Sequence, residues 1–176
     1  MTDAPTRSLH VELLRASSDQ QALLANLLQL YCHDFSEFLD VEIGPDGKYP
    51  YDSLPLYWTE PHRHPFLVRV NGAPAGFAFV KRAATSTDFK TIWDMEEFFV
   101  VRRYRRRGIG TRIAKEVFKR HFGRWEIRVL ASNHSGLHFW KRTITEFVGK
   151  AIPSIRITRA GHDWQVFSFA SSPVKK

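Results

Sequence analysis

The sequence predicts a single mixed α/β (α+β) domain, and three observations carry that prediction. An apolar block rich in aromatic and β-branched residues, Met95-Glu96-Glu97-Phe98-Phe99-Val100-Val101, turns through Arg105-x-x-Gly108-x-Gly110 into a run of helical period ending near Phe122. Asn71-Gly72 separates two short apolar runs, a strong hairpin signal. The periods along the chain then read β-α-α-β-β-β-α-β-α-β-β, with no internal repeat or low-complexity tract.

Composition narrows the class. A chain of 176 residues is of the usual size for one core, and with 43% hydrophobic and 14% aromatic residues disorder is excluded. The lone Cys32 excludes an internal disulfide and fits a reducing, cytoplasmic compartment. The polar start, residues 1–8, does not read as a signal peptide, and no apolar run reaches membrane-spanning length. A net charge of +8 favours a polyanionic ligand, either a phosphate-bearing small molecule or a nucleic acid.

Taken in order, residues 9–14 read as a first strand. Ser18-Asp19-Gln20-Gln21 resembles a capping box. It precedes an amphipathic helix on Leu23, Leu24, Leu27, Leu28 and Tyr31 that continues through Phe35 and Phe38. Tyr31, His33, Asp34 and Glu37 near its end are either substrate contacts or surface groups. Residues 44–65 hold Tyr49, Tyr51, Tyr57, Trp58, His62 and His64, with a helical segment at 53–58 packed into loops. His62 and His64 make no metal site, because no Cys or acidic residue joins them at a ligand spacing. Strands follow at 66–70 and 75–81, then, after a polar turn at 85–88, a third at 91–101. Residues 125–130 form another strand, 133–142 a helix, and 152–158 and 164–169 the last two strands, joined through Ala160-Gly161-His162. Short tails, residues 1–8 and 171–176, are loose.

The turn before the second long helix is built to hold an anion. The first amides of a helix lack intrahelical partners and sit at the positive end of its dipole. Gly108 and Gly110 allow close approach, and Arg102, Arg103, Arg105, Arg106 and Arg107 surround the turn with phosphate-binding guanidiniums. A Walker loop does not fit, since no Lys follows Gly110. Nor does a dinucleotide fingerprint, whose third glycine would stand at Ile113.

This turn resembles motif A of the GNAT acyltransferase superfamily, Arg/Gln-x-x-Gly-x-Gly/Ala, which holds the pyrophosphate of coenzyme A. Two departures are visible: Arg102 stands where Pro is common, and Arg106 where Gly is common. The resemblance implies a mixed, mostly antiparallel central sheet flanked by helices, and an N-acetyltransferase using acetyl-CoA without a metal. It assigns donor binding to Phe98, Phe99 and Val100 through their amides, and to Arg105, Arg106, Arg107, Gly108, Ile109, Gly110 and Thr111. Asn133 followed by Phe139-Trp140 is similar to the family's second motif, Asn-x-x-Ala-x-x-Phe-Tyr, and adds Asn133. Trp140 replaces the Tyr that often protonates the departing thiolate, and an indole N–H has no useful acidity. Water, another Tyr, or no acid at all is left to serve, and a non-catalytic coenzyme A-binding protein is the alternative.

A regular strand puts Asp94, Glu96, Phe98 and Val100 on one face, and Met95, Glu97, Phe99 and Val101 on the other. By resemblance the general base is Glu96, with Asp94 second. The acceptor pocket is then roofed by Tyr57 and Trp58, with Tyr31 and His33 beside them. The expected partner is a small-molecule amine or amino-acid derivative, met by a monomer or homodimer; a basic nucleic-acid-binding module is the competing class.

Overall fold

Asn71 and Gly72 both take positive φ, 50° and 79°, as a two-residue type I′ turn requires. They join β2 (Arg63–Val70) to β3 (Ala73–Ala84) in antiparallel register. In the computed structural model, which describes residues 9–84 and 91–172, these strands follow β1 (Val11–Arg15), α1 (Gln21–Phe35) and the short α2 (Leu56–Thr59). They precede β4 (Thr91–Val100), α3 (Ile109–Arg120), β5 (Gly123–Leu130), α4 (His134–Val148), β6 (Ser154–Arg159) and β7 (His162–Ser171). The polar turn at 85–88, the first eight residues and 173–176 lie outside the described residues.

The seven strands form one sheet in the order β1-β2-β3-β4-β5-β7-β6, and only the β4–β5 pair is parallel. Helices cover both faces. On one side Ile113, Val117 and Phe118 of α3 and Trp140 and Ile144 of α4 pack with Val68, Val80 and Trp125 of the strands. On the other, Leu24, Leu27 and Leu28 of α1 and Tyr57 of α2 pack on Leu67, Phe77, Phe79 and Phe99. No helix among the described residues is long and apolar enough to cross a membrane.

Three boundaries differ from the sequence reading. The first long helix ends at Phe35 rather than Phe38, because Phe38 N–H turns back to the Phe35 carbonyl at 2.9 Å. The fourth continues past 142 to Val148, where Gly149 at φ 80° caps it. Ser171 is no tail residue: it ends β7, is buried, and its hydroxyl donates to the Phe118 carbonyl at 2.7 Å.

Below α3, His121 Nδ1 lies 3.1 Å from the Val117 carbonyl oxygen, so that nitrogen carries the proton and donates. Nε2 must then accept, and His64 Nδ1–H donates to it across 3.2 Å. The arrangement suits two neutral rings. Burial, then Arg15 and the facing His121, push His64 down to about 4, and burial with Arg15 and Arg120 lowers His121 as well. In the unfolded chain these rings charge near pH ~6.5. Their stabilising contribution is therefore present above that pH and lost as pH falls toward about 4, the lowered value of His64. We expect the melting temperature to drop between neutral pH and pH ~5, and to drop less in His64→Gln, whose side chain stays neutral. Equal acid losses in both proteins would remove this pair as the cause.

Candidate active site

β4 and β5 pair through only two positions, Trp93↔Trp125 and Asp94↔Glu126. Past Asp94 the strands part, and the open edge of β4 from Met95 to Val100 lines a cleft of about 1430 Å³. At the apex, Arg128 Nη2 donates to Asp94 Oδ2 at 2.5 Å, so an ion pair crosses the parting strands. Asp94 is 1% exposed, and its Oδ1 has no hydrogen-bond partner among the described residues. Burial pushes its carboxyl up to about 6.

The expected alternation along β4 does not hold. Phe79 of β3 pairs with Glu97 but the next residue, Val80, pairs with Met95, so Glu96 is an extra residue in the ladder. The bulge corrects the two faces: Met95 joins Phe98 and Val100 against α3 and α4, while Phe99 packs against α1 and α2. Glu96 and Glu97, adjacent in sequence, both turn to the tyrosines of the α1–α2 side.

Their surroundings differ. Glu96 accepts from the Tyr57 hydroxyl, from Lys81 Nζ, and from Arg63 Nη1 at 2.8 Å. Burial pushes its carboxyl up, but the bonds from Lys81 and Tyr57 and the charges of Lys81 and Arg63 outweigh that and leave it below the usual range. It is an ionised group fully engaged by cations. Among the described residues no cation pairs with Glu97. It accepts from Tyr51 Oη at 3.1 Å, and it lines the cleft beside Tyr31. Burial, only partly offset by the neighbouring Tyr31 hydroxyl and reinforced by the charge of Glu96, pushes it up to about 7. Burial raises both Tyr31 and Tyr51, so both remain hydroxyl donors.

At the far end of β4 the chain turns into α3. Arg106 at φ 59° and Gly108 at φ 73° are both left-handed, which places a non-glycine residue where the backbone favours glycine. The first bond of α3 runs from Arg112 N–H to the Gly108 carbonyl at 3.0 Å, leaving the amides of Ile109, Gly110 and Thr111 at the open helix start. A Cβ on Gly108 would meet no protein atom within 4 Å, so the space above that backbone is free for a ligand. Arg105 faces inward instead: Nε donates to the Val100 carbonyl at 2.6 Å and Nη2 to Asp34 at 2.5 Å.

The other predicted residues fall as follows. Phe98, Phe99, Val100, Arg105, Arg106, Gly108, Gly110, Thr111 and Asn133 line the cleft; Arg107 is exposed beside it, and the Ile109 side chain is buried in the core. Asn133 caps α4, accepting from Gly136 N–H at 2.8 Å, and a Cβ on Gly136 would collide with that side chain. Trp140 is 8% exposed and packs against Phe98 and Phe139. Of the acceptor residues, Tyr31 lines the cleft. His33 instead sits 3.3 Å from the Tyr49 hydroxyl, Tyr57 is buried beneath Glu96, and Trp58 donates to the Ala16 carbonyl at 3.1 Å. Tyr51, Glu97, Lys81 and Trp164 line the cleft without having been singled out as site residues. Among the described residues no group of three metal-ligating side chains is present.

A strand that opens beside a glycine turn, with a protonatable carboxylate on its free edge, has the parts an acyltransferase needs. Residues 24–144 match the Acetyltransferase (GNAT) family, and the chain belongs to that family. Its fold is shared with several solved structures. Arabidopsis thaliana NAA60 in complex with acetyl-CoA is 14% identical, with 92% of this chain and 98% of that chain covered and a TM-score of 0.62. The ribosomal-protein-S18-alanine N-acetyltransferase from Escherichia coli is 13% identical over 95% and 97%, with a TM-score of 0.60. A GNAT-family acetyltransferase from Staphylococcus aureus Mu50 is 12% identical over 93% and 100%, with a TM-score of 0.63. No curated protein matches the chain.

Proposed function

We propose that the protein is an acetyl-CoA-dependent N-acetyltransferase acting by direct transfer on a small amine or amino-acid derivative, with Glu97 as general base. The observation that carries this reading is the place of Glu97: a carboxyl on the open edge of β4, lining the cleft, hydrogen-bonded to Tyr51 and with no cation paired to it among the described residues, which burial pushes up to about 7. A base is most effective when its pKa lies near the working pH. Glu96, saturated by Lys81, Arg63 and Tyr57, instead holds the strand and raises its neighbour by like charge.

In the reaction the amine nitrogen attacks the thioester carbonyl, the C–N bond forms, and the carbonyl oxygen gains charge that amides on the unpaired β4 edge can stabilise. Glu97 takes the proton that the nitrogen loses, and the C–S bond breaks. A thiol pKa of about 8.5 lets the thiolate leave without an acid, so the apolar packing of Trp140 is no obstacle. The open helix start and Gly108 would hold the pyrophosphate, with Arg106 and Arg107 nearby. Tyr31, Phe35, Phe38, Leu39, Tyr51 and Trp164 give the acceptor end an aromatic and apolar wall. Phe99 is buried and Phe98 packs on Phe139 and Trp140, so β4 offers no exposed stacking platform, which favours this reading over a nucleic-acid module.

The test is calorimetry with acetyl-CoA on the wild type and Gly108→Val, followed by free-thiol detection over a panel of amines that includes short peptides. A β-branched residue at φ 73° is strained and fills the space above the helix start. Loss of two charge-assisted amide bonds, each about 1.5–3 kcal/mol, should weaken acetyl-CoA by about 100-fold or more. Unchanged affinity in a folded variant would remove the cradle from the site.

A further inference from the structure

We infer that Asp34 is a positioning residue that ties the acceptor wall to the turn at the start of α3, so that occupancy of the turn fixes the wall. This rests on the reading of that turn as the coenzyme A site. Asp34 stands in the last turn of α1 and is separated from its partners by about seventy residues of chain. Its Oδ1 accepts from Arg102 Nη2 and its Oδ2 from Arg105 Nη2, both at 2.5 Å. Burial pushes its carboxyl up, but the two guanidiniums more than offset that and hold it below the usual range, so it is charged whenever the protein is folded near neutrality.

Arg105 is the connecting piece. Its Nε is held by the Val100 carbonyl at 2.6 Å, its guanidinium lies 5.3 Å over the Phe99 ring, and Nη2 reaches α1. One side chain thus joins the last residue of β4, the turn and the helix of the acceptor wall. The same end of α1 carries Tyr31, whose ring meets Phe99 at 6.1 Å, and Phe35; both line the cleft. A polyanion at the turn acts on both arginines. Arg102, 75% exposed, is free to swing toward it, whereas Arg105 is fixed at Nε and transmits the restraint to Asp34. Without Asp34 the turn can still hold phosphate through its amides, but α1 loses its only described ion pairs to that turn.

Hydrogen exchange of the full-length protein, with and without coenzyme A, separates the two roles. In the wild type coenzyme A should slow exchange at the turn, residues 105–113, and also at residues 31–38 by about tenfold, a usual size for coupling between sites. D34N should keep the protection at the turn and lose it at 31–38, and D34E, which restores the charge, should recover part of it. R105Q cuts the same connection from the other side and serves if D34N does not fold. Equal protection of 31–38 in wild type, D34N and R105Q would overturn the inference, as would protection confined to the turn in the wild type. If coenzyme A protects neither segment of the wild type, the proposed function fails and this inference with it.

Discussion

Glu97→Gln should lower the turnover rate by about 10²–10⁴-fold at neutral pH while leaving the fold intact, since the amide keeps the shape and loses only the basic site. The wild-type rate should rise as pH increases through about 7, because only the unprotonated carboxylate accepts a proton. The variant should lack that inflection. Glu96→Gln should behave in the opposite way. It removes the carboxylate of Lys81 and one of the two that Arg63 holds, Glu60 remaining at 2.6 Å; breaking a buried ion pair costs about 3–5 kcal/mol, less here because both cations are partly exposed. Its rate per folded molecule at neutral pH should change little, while the pH inflection moves below that of the wild type because the like charge beside Glu97 is gone. Pre-steady-state rates and melting curves on both variants decide the matter. A larger catalytic loss in a folded Glu96→Gln protein would move the base one residue back, to the position that the family resemblance suggests.

Trp125→Ala should be the most damaging change to stability. The indole is fully buried, meets Phe118 at 4.9 Å and Trp93 at 6.2 Å, and donates Nε1–H to the His121 carbonyl at 2.9 Å. Truncation costs about 3–5 kcal/mol for the cavity and about 1–3 for the stranded carbonyl. Against a total of about 5–15 kcal/mol, that should lower the melting temperature by more than about 10 °C. Because Trp125 faces Trp93 at one of only two β4–β5 pairings, the surviving folded fraction should also bind acetyl-CoA more weakly. A melting temperature within about 3 °C of wild type would mean that the apex is held by something other than this packing.

The fold was legible because its signals are local. Asn71-Gly72 can form only a tight turn, the apolar period of residues 109–118 is helical, and glycines after an apolar strand announce a ligand-binding helix start. The family membership follows from that same turn. What escaped the sequence belongs to pairs of elements. Nothing in Met95-Glu96-Glu97 reveals that Val80 skips a residue when it pairs, so a regular period put Glu97 with Met95 and separated it from Glu96. The partners that ionise Glu96 come from β2, β3 and α2, and no spacing rule joins Arg63, Lys81 and Tyr57. Depth was equally hidden. Tyr51 and Tyr57 lie in one aromatic segment, yet one lines the cleft and the other is sealed under it.

The extra residue in β4 also changes how the strand would tolerate being shortened. Removing one residue from a central strand ordinarily turns every side chain beyond the cut to the wrong face. Deleting Glu96 would do the reverse, because Met95 already faces α3 and α4 while Glu97 and Phe99 already face α1 and α2. The shortened strand would close into an unbroken ladder with its apolar residues and its remaining glutamate in place. The cost would fall instead on Tyr57, Arg63 and Lys81, which would lose the carboxylate that they share.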